Sequence, residues 1–405
     1  MKSKTPHSAF RTPHLEIPGF KFSAVSAGIK TPGRKDLCLI FSETNSNIAG
    51  VFTTNKIKAA PVKLDISKIA SGKGQAIIIN SGNANACTGA RGMKDAKDTA
   101  ALLAKELGIS PMLVYVASTG VIGRPLPAGN IKTAIPRLVK KLSAQSLPNA
   151  ADAIMTTDIF PKIFSKKINI NEKIGTIAGI AKGAGMISPN MATMLCFIVT
   201  DIAVERSALN SALKNAVKTT FNMLTIDNDM STNDTVLVMA NGALKNSPLR
   251  KNSPAYRKFG NALTEIAYNL TKMIAIDGEG ATKLIEVIVK GARTEADAEK
   301  VSRAIANSLL VKTAIYGEDP NWGRIMAAIG YSGVDVQEEK ISISLNGIKL
   351  VSRGKGTGNE ASLRKTLSKK EIIITVDLSL GKKEAKVLTC DLTEGYIKIN
   401  ASYTT

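Results

Sequence analysis

The chain has 405 residues, 44% of them hydrophobic and 21% charged, which excludes bulk disorder and is more than one ordinary core holds; two or more domains are expected. Its net charge of +21 comes largely from lysines spread along the whole sequence, and aromatic residues make up only 4%, so nothing gathers the charge and rings of a nucleic-acid binder. No run approaches the roughly 20 apolar residues that cross a bilayer, no signal-peptide pattern opens the chain, and a cytoplasmic protein without a membrane partner is expected.

In chain order, residues 75–80, QAIIIN, are a predicted buried strand that runs into turn-rich residues 81–85. Residues 95–107 form a predicted helix with Gly108 as its stop. Another strand covers residues 113–117 and ends in Ser118-Thr119-Gly120. Residues 194–199 are apolar enough for a buried strand, and residues 204–221 and 255–274 have helical period and composition. The one dense basic patch, KNSPLRKNSPAYRK at 245–258, reads as a solvated loop. From about residue 284 the texture changes. A strand at 284–290, a helix at 294–310, two strands flanking Asn346-Gly347, and strands at 371–378 and 385–390 form a compact α+β module of ferredoxin-like type. The expected boundary is near residue 283, giving units 1–283 and 284–405.

The residue types narrow the chemistry. The only histidines are His7 and His14, in the polar start of the chain, which leaves Ser-His-Asp, Cys-His and histidine metal sites without their imidazole. Cys38, Cys87, Cys196 and Cys390 show no CxxC spacing; no zinc site or redox pair is indicated, and free buried thiols are expected. A nucleophile here must be activated by lysine, a carboxylate or an N-terminal amine.

The densest unusual segment is KGAGMISPNMATMLCFIVT at 182–200. Gly183 and Gly185 suggest a phosphate loop, but GxxxxGK[ST] is absent. Read alone, the segment is a turn entering a buried strand. Thr193 follows the small Ala192 and opens the apolar run. Its hydroxyl could attack the Ala192 carbonyl in an N-to-O acyl shift, and water would then release a chain beginning at Thr193. That residue would carry a hydroxyl beside a free α-amine of pKa about 7.7–8.0, which can serve as its own base. Sequence physics permits this scheme without requiring it.

Residues 182–200 resemble the signature of the ornithine acetyltransferase (glutamate N-acetyltransferase) family of arginine biosynthesis. The resemblance continues, in order, through GVFTTNKIKAAP at 50–61, NSGNANACTG at 80–89, ASTGVIG at 117–123, IMTTDIFPK at 154–162, DNDMSTND at 227–234, GEGATK at 278–283, GEDPNWGR at 317–324 and NASYTT at 400–405. It implies a layered αββα core of the N-terminal-nucleophile kind, within the α/β (α+β) class. It implies cleavage between Ala192 and Thr193, with Thr193 as the nucleophile, and Thr119 and Gly120 as the oxyanion hole. Thr156, Lys182, Thr193, Glu279, Asn400 and Thr405 match substrate-binding positions. The implied reaction carries acetyl from N-acetylornithine to glutamate with no bound cofactor or metal, and leaves acetyl-CoA open as a co-substrate. An α2β2 assembly of the two cleaved chains is also implied. Read singly, each of these residues is an ordinary turn or surface position. The competing readings are an N-terminal-nucleophile aminopeptidase or amidase that passes the acyl group to water and, suggested only by charge, a basic nucleic-acid-binding protein.

Overall fold

The computed structural model describes residues 15–188 and 194–402. Eight strands form the larger sheet: β1 (Phe20–Val25), β2 (Leu37–Phe52), β3 (Lys73–Asn83), β4 (Val114–Val121), β5 (Lys162–Ile170), β6 (Lys173–Lys182), β7 (Leu195–Thr200) and β8 (Thr235–Ala240). Their order is β4-β3-β2-β8-β7-β6-β5, with β1 also paired to β2. The 16-residue β2 joins two halves. Its Leu37–Phe41 part pairs with β1 and β3, the register shifts between Phe41 and Ser46, and the part from Asn47 to Phe52 pairs with β8.

Period-two alternation then builds the layers. Leu195, Phe197 and Val199 of β7 point into a core shared with Phe22, Ile40, Ile79 and Tyr115, between the two halves of the sheet. The alternate residues Cys196 and Ile198 face the other way, onto helices α5 (Arg206–Thr219) and α6 (Pro254–Ile276). On the opposite outer face, Leu39, Ile78 and Val116 meet α1 (Ala60–Ile69), α2 (Gly89–Leu107) and α3 (Ala128–Lys140). The short α4 (Leu147–Ala153) packs into the central core. The result is helix, sheet, sheet, helix: the expected αββα layering. β7 is buried on both faces, which is why it reads as an unbroken apolar run.

The second sheet contains β9 (Leu284–Ala292), β10 (Ser342–Leu345), β11 (Ile348–Ser352), β12 (Lys355–Gly356), β13 (Glu371–Asp377) and β14 (Lys383–Cys390), in the order β12-β11-β10-β13-β9-β14. Four of these, β14-β9-β13-β10, keep the ferredoxin-like order, with β9 and β13 parallel and the flanking pairs antiparallel. The connections differ in one respect. The second helical connection, α10 (Glu360–Leu367), precedes β13, and β13 passes to β14 through a short turn. The Asn346-Gly347 turn has φ of 46° and 84°, the left-handed pair that closes a tight hairpin.

Three sequence readings change. The helix expected over 294–310 is two helices, α7 (Glu295–Asn307) and α8 (Leu309–Tyr316), because the Ser308 side chain accepts from Val311 N–H and starts the second. The basic 245–258 stretch is not wholly solvated: Leu249 is buried, its carbonyl accepts from Glu205 N–H, and Ser253-Pro254 opens α6. Cys38, Cys196 and Cys390 are buried, but Cys87 is exposed, on a turn where its φ is 57°. Among the described residues no helix is long and apolar enough to cross a membrane.

Candidate active site

The strand ends build the site. β3 and β4 run parallel, so Ser81 lies beside Thr119 and Gly82 beside Gly120. Gly120 has φ 131°, and a Cβ there would come 2.3 Å from the Gly82 carbonyl carbon. Only glycine allows this approach. Asn233, just before β8, locks the same corner: its Nδ2 donates to Ala84 O (2.7 Å) and Ser118 O (2.8 Å).

Lys182 ends β6, in register with Leu195 at the start of β7. It is buried, and its Nζ donates to Thr119 Oγ1 at 3.3 Å. Burial lowers its pKa and nearby Lys162 adds to this, while Asp158, Glu279 and Asp234 act in the opposite sense. Beyond β6, Gly183 N–H donates to Asp158 Oδ1 (2.7 Å), and Met186 and Ile187 N–H groups donate to the Asp227 carboxylate at 2.6 and 2.7 Å. Ala184 O accepts from Glu279 N–H (2.8 Å).

A buried ion network lies beside this loop. Lys162 Nζ, with its side chain fully buried, donates to Asp158 Oδ1 (2.7 Å) and to Asp277 Oδ2. Asp158 Oδ2 accepts from Thr156 N–H, and the Asp277 carboxylate accepts from Ile159 N–H. Burial alone would raise the Asp158 carboxyl, but Lys162 and Lys182 hold it below the ordinary range. For Asp277 burial prevails and pushes it up to about 6. The last helix, α11 (Glu394–Ser402), returns to the same place. Asn400 Nδ2 donates to Glu279 Oε2 (2.8 Å), and Thr393 Oγ1 donates to Gly280 O (2.6 Å).

These elements surround one pocket of about 600 Å³, counting its open mouth. Thr119, Gly120, Thr156, Lys182, Glu279 and Asn400 all line it, beside Ser231, Asn233 and Met186. Thus six positions singled out in the sequence, spread from residue 119 to residue 400, meet in space. Ala192, Thr193 and Thr405 lie outside the described residues. Met194, directly after Thr193, is described: its N–H donates to Asp234 Oδ1 at 2.9 Å. Sequence reading gave no individual role to Asp158, Lys162, Asn233, Asp234 or Asp277. The first four fall within quoted motifs, and the Asp158–Lys162 pair has i,i+4 spacing, but nothing local reveals Asp277 as their partner. Among the described residues no three His, Cys, Asp or Glu side chains form a metal-ligating cluster.

Chemically, the pocket offers one ammonium, one carboxylate, hydroxyls and amides within a small space. That combination suits a small molecule bearing charges of both signs. Together with the αββα layers it defines an α/β enzyme of small polar substrates.

The chain belongs to the ArgJ family, whose model matches residues 21–405. It is 52% identical over 393 residues to the arginine biosynthesis bifunctional protein ArgJ of Geobacter sulfurreducens, covering 96% of this chain and 100% of that one. The protein of the same name from Caldanaerobacter subterraneus is 50% identical over 397 residues, with 96% and 98% covered. The crystal structure of the Bacillus halodurans arginine biosynthesis bifunctional protein is 44% identical, covers 51% of this chain and 98% of that chain, and superposes with a TM-score of 0.50.

Proposed function

We propose that this enzyme cuts itself between Ala192 and Thr193 and then carries an acetyl group on Thr193 from N2-acetyl-L-ornithine to L-glutamate. The observation that carries the reading is the meeting of Thr119, Gly120, Thr156, Lys182, Glu279 and Asn400 in one pocket. The strand that follows Thr193 begins in register with pocket residue Lys182.

In the first half-reaction the Thr193 hydroxyl attacks the acetyl carbonyl, its proton passing to the residue's own α-amine. Thr119 and Gly120 stabilise the oxyanion. The C–N bond breaks, ornithine leaves with the proton, and an acetyl ester remains. The amine of glutamate then attacks that ester and regenerates the hydroxyl. Lys182 is the natural partner of the α-carboxylate common to both amino acids. Glu279 suits the ornithine δ-ammonium, and Asn400 fixes Glu279 through their hydrogen bond. The family resemblance adds Thr405 to the substrate-binding positions. Acetyl-CoA is part of the proposal as a second donor to glutamate. No bound cofactor or metal enters any step. The processed chains work as an α2β2 assembly in the cytoplasm.

The test is direct. Purified protein with N-acetylornithine and glutamate, in EDTA, is expected to yield ornithine and N-acetylglutamate in equal amounts. Accumulation of acetate instead would establish an amidase. Thr193→Ala is expected to stay a single chain and to transfer nothing. A Thr193→Ala protein that still splits at this bond would overturn the reading.

A further inference from the structure

Residues 227–234, DNDMSTND, have no part in the transfer steps above, yet they touch both flanks of the proposed cut. At one end Asp227 accepts the N–H groups of Met186 and Ile187, on the chain approaching it. At the other, Asp234 Oδ1 accepts the N–H of Met194, on the chain leaving it. Between them Asn233 ties in Ser118 and Ala84, the corner that presents Thr119. One segment therefore holds the described chain on both sides of the proposed cut and the corner that presents Thr119.

Asp234 is the unusual member. Its residue is 0% exposed. Its Oδ2 has no hydrogen-bond partner among the described residues, although the hydroxyls of Thr53 and Ser231 and the ammonium of Lys182 are close enough to oppose the burial effect. Burial prevails and lifts the carboxyl well above its ordinary pKa. A buried carboxyl with an unsatisfied oxygen costs stability, and such local violations gather at functional positions. The amide it holds belongs to the peptide bond made by Thr193's own carbonyl, three covalent bonds from the Thr193 α-nitrogen.

We propose that Asp234 is a positioning residue for Thr193: its buried side chain anchors the amide that follows the nucleophile, and both self-cleavage and acetyl transfer depend on this anchor. The inference rests on the reading of Thr193 given above. The requirement is for an acceptor oxygen, so an amide can replace the acid in part, whereas an alkyl group cannot.

Asp234→Leu fills similar space without an acceptor. It is expected to fold, by circular dichroism and melting, but to cleave at least about 100-fold more slowly, the order of loss that misplacement of a reacting group brings. In whatever fraction is cleaved, kcat falls while KM stays within about twofold, because the substrate contacts at Lys182 and Glu279 are intact. Asp234→Asn keeps a carbonyl oxygen and is expected to restore cleavage to within about tenfold of native, with an unaltered pH profile of kcat. Thr193→Ala is run alongside. If it is cleaved, the nucleophile reading itself fails. If it is not cleaved while Asp234→Leu is cut and turns over at native rates, the Asp234 inference fails alone. Should Asp234→Leu not fold, Asp234→Asn decides: restored cleavage with the native pH profile supports the anchor, and a folded, uncleaved Asp234→Asn overturns it.

Discussion

Thr119 and Gly120 are consecutive residues at the end of β4, but different physics governs each. Thr119 contributes a hydroxyl that accepts from Lys182 and faces the pocket. Thr119→Ala removes that group and leaves the backbone untouched. In a folded, processed protein it is expected to lower turnover by about 100- to 1,000-fold, as the loss of an oxyanion donor does. Gly120 contributes absence of bulk. Its φ of 131° and the 2.3 Å approach to Gly82 leave no room for a Cβ. Gly120→Ala is therefore expected to cost about 1–3 kcal/mol of stability as well as activity, since the strand end must shift. Urea unfolding and turnover measured on the same two variants separate the cases. A Thr119→Ala protein with native turnover would remove Thr119 from the mechanism. A Gly120→Ala protein as stable as native would show that the corner yields easily. Neither distinction is visible in the string ASTGVIG, where both residues read as a turn.

At the scale of elements, the sequence was legible where one local rule dominates. The QAIIIN run gives β3, Gly108 ends α2 with its left-handed φ, and Asn346-Gly347 gives the β10–β11 hairpin. It was illegible where a polar group decides the outcome, as Ser308 does in dividing one helical period between α7 and α8. The site shows the same limit. Its lining residues could be named only by resemblance, and the Lys162 network was hidden because Asp277 is 115 residues away in sequence. That network ties the end of α6, through Asp277, to the 156–159 turn and to Gly183. Lys162→Met would leave two buried carboxylates without their cation and is expected to cost about 3–5 kcal/mol near neutral pH. Asp277 has its folded pKa raised to about 6, above the ordinary 3.8, so it takes up a proton on folding. Its share of the stability therefore grows as pH falls through 6. With Lys162 gone this uptake strengthens, because protonation relieves an unpaired charge. The deficit of Lys162→Met is expected to be large at about pH 7.5 and smaller at about pH 5.5. Urea titrations in the single-chain Thr193→Ala background would measure it. A deficit that widens in acid would contradict the assigned network.

For the whole molecule, the proposed cut divides the chain into pieces of 192 and 213 residues inside one continuous sheet. The first piece would carry β1 to β6 and the second would begin with β7. Two seams would join them: Lys182 to Ile177 of β6 pair with Leu195 to Thr200 of β7, and Asn47 to Phe52 of β2 pair with Ala240 to Thr235 of β8. The central core is shared as well. Leu195, Phe197, Val199, Leu237 and Met239 of the second piece pack among Phe22, Ile40, Ile79 and Ile180 of the first. Burying each such side chain stabilises by about 1.5–3 kcal/mol, so these five alone supply on the order of 10 kcal/mol before the cost of association. The attraction is mainly apolar, and salt does not screen it. A tag on the second piece is therefore expected to retain the first in equal amount through washes of about 1 M salt, while a denaturing gel resolves the two. Release is expected only at denaturant concentrations that also reduce the far-ultraviolet circular dichroism, because neither piece has the complete eight-stranded sheet without the other. If the pieces separated on native gel filtration, or if salt alone stripped one from the other, the cut could not lie between β6 and β7.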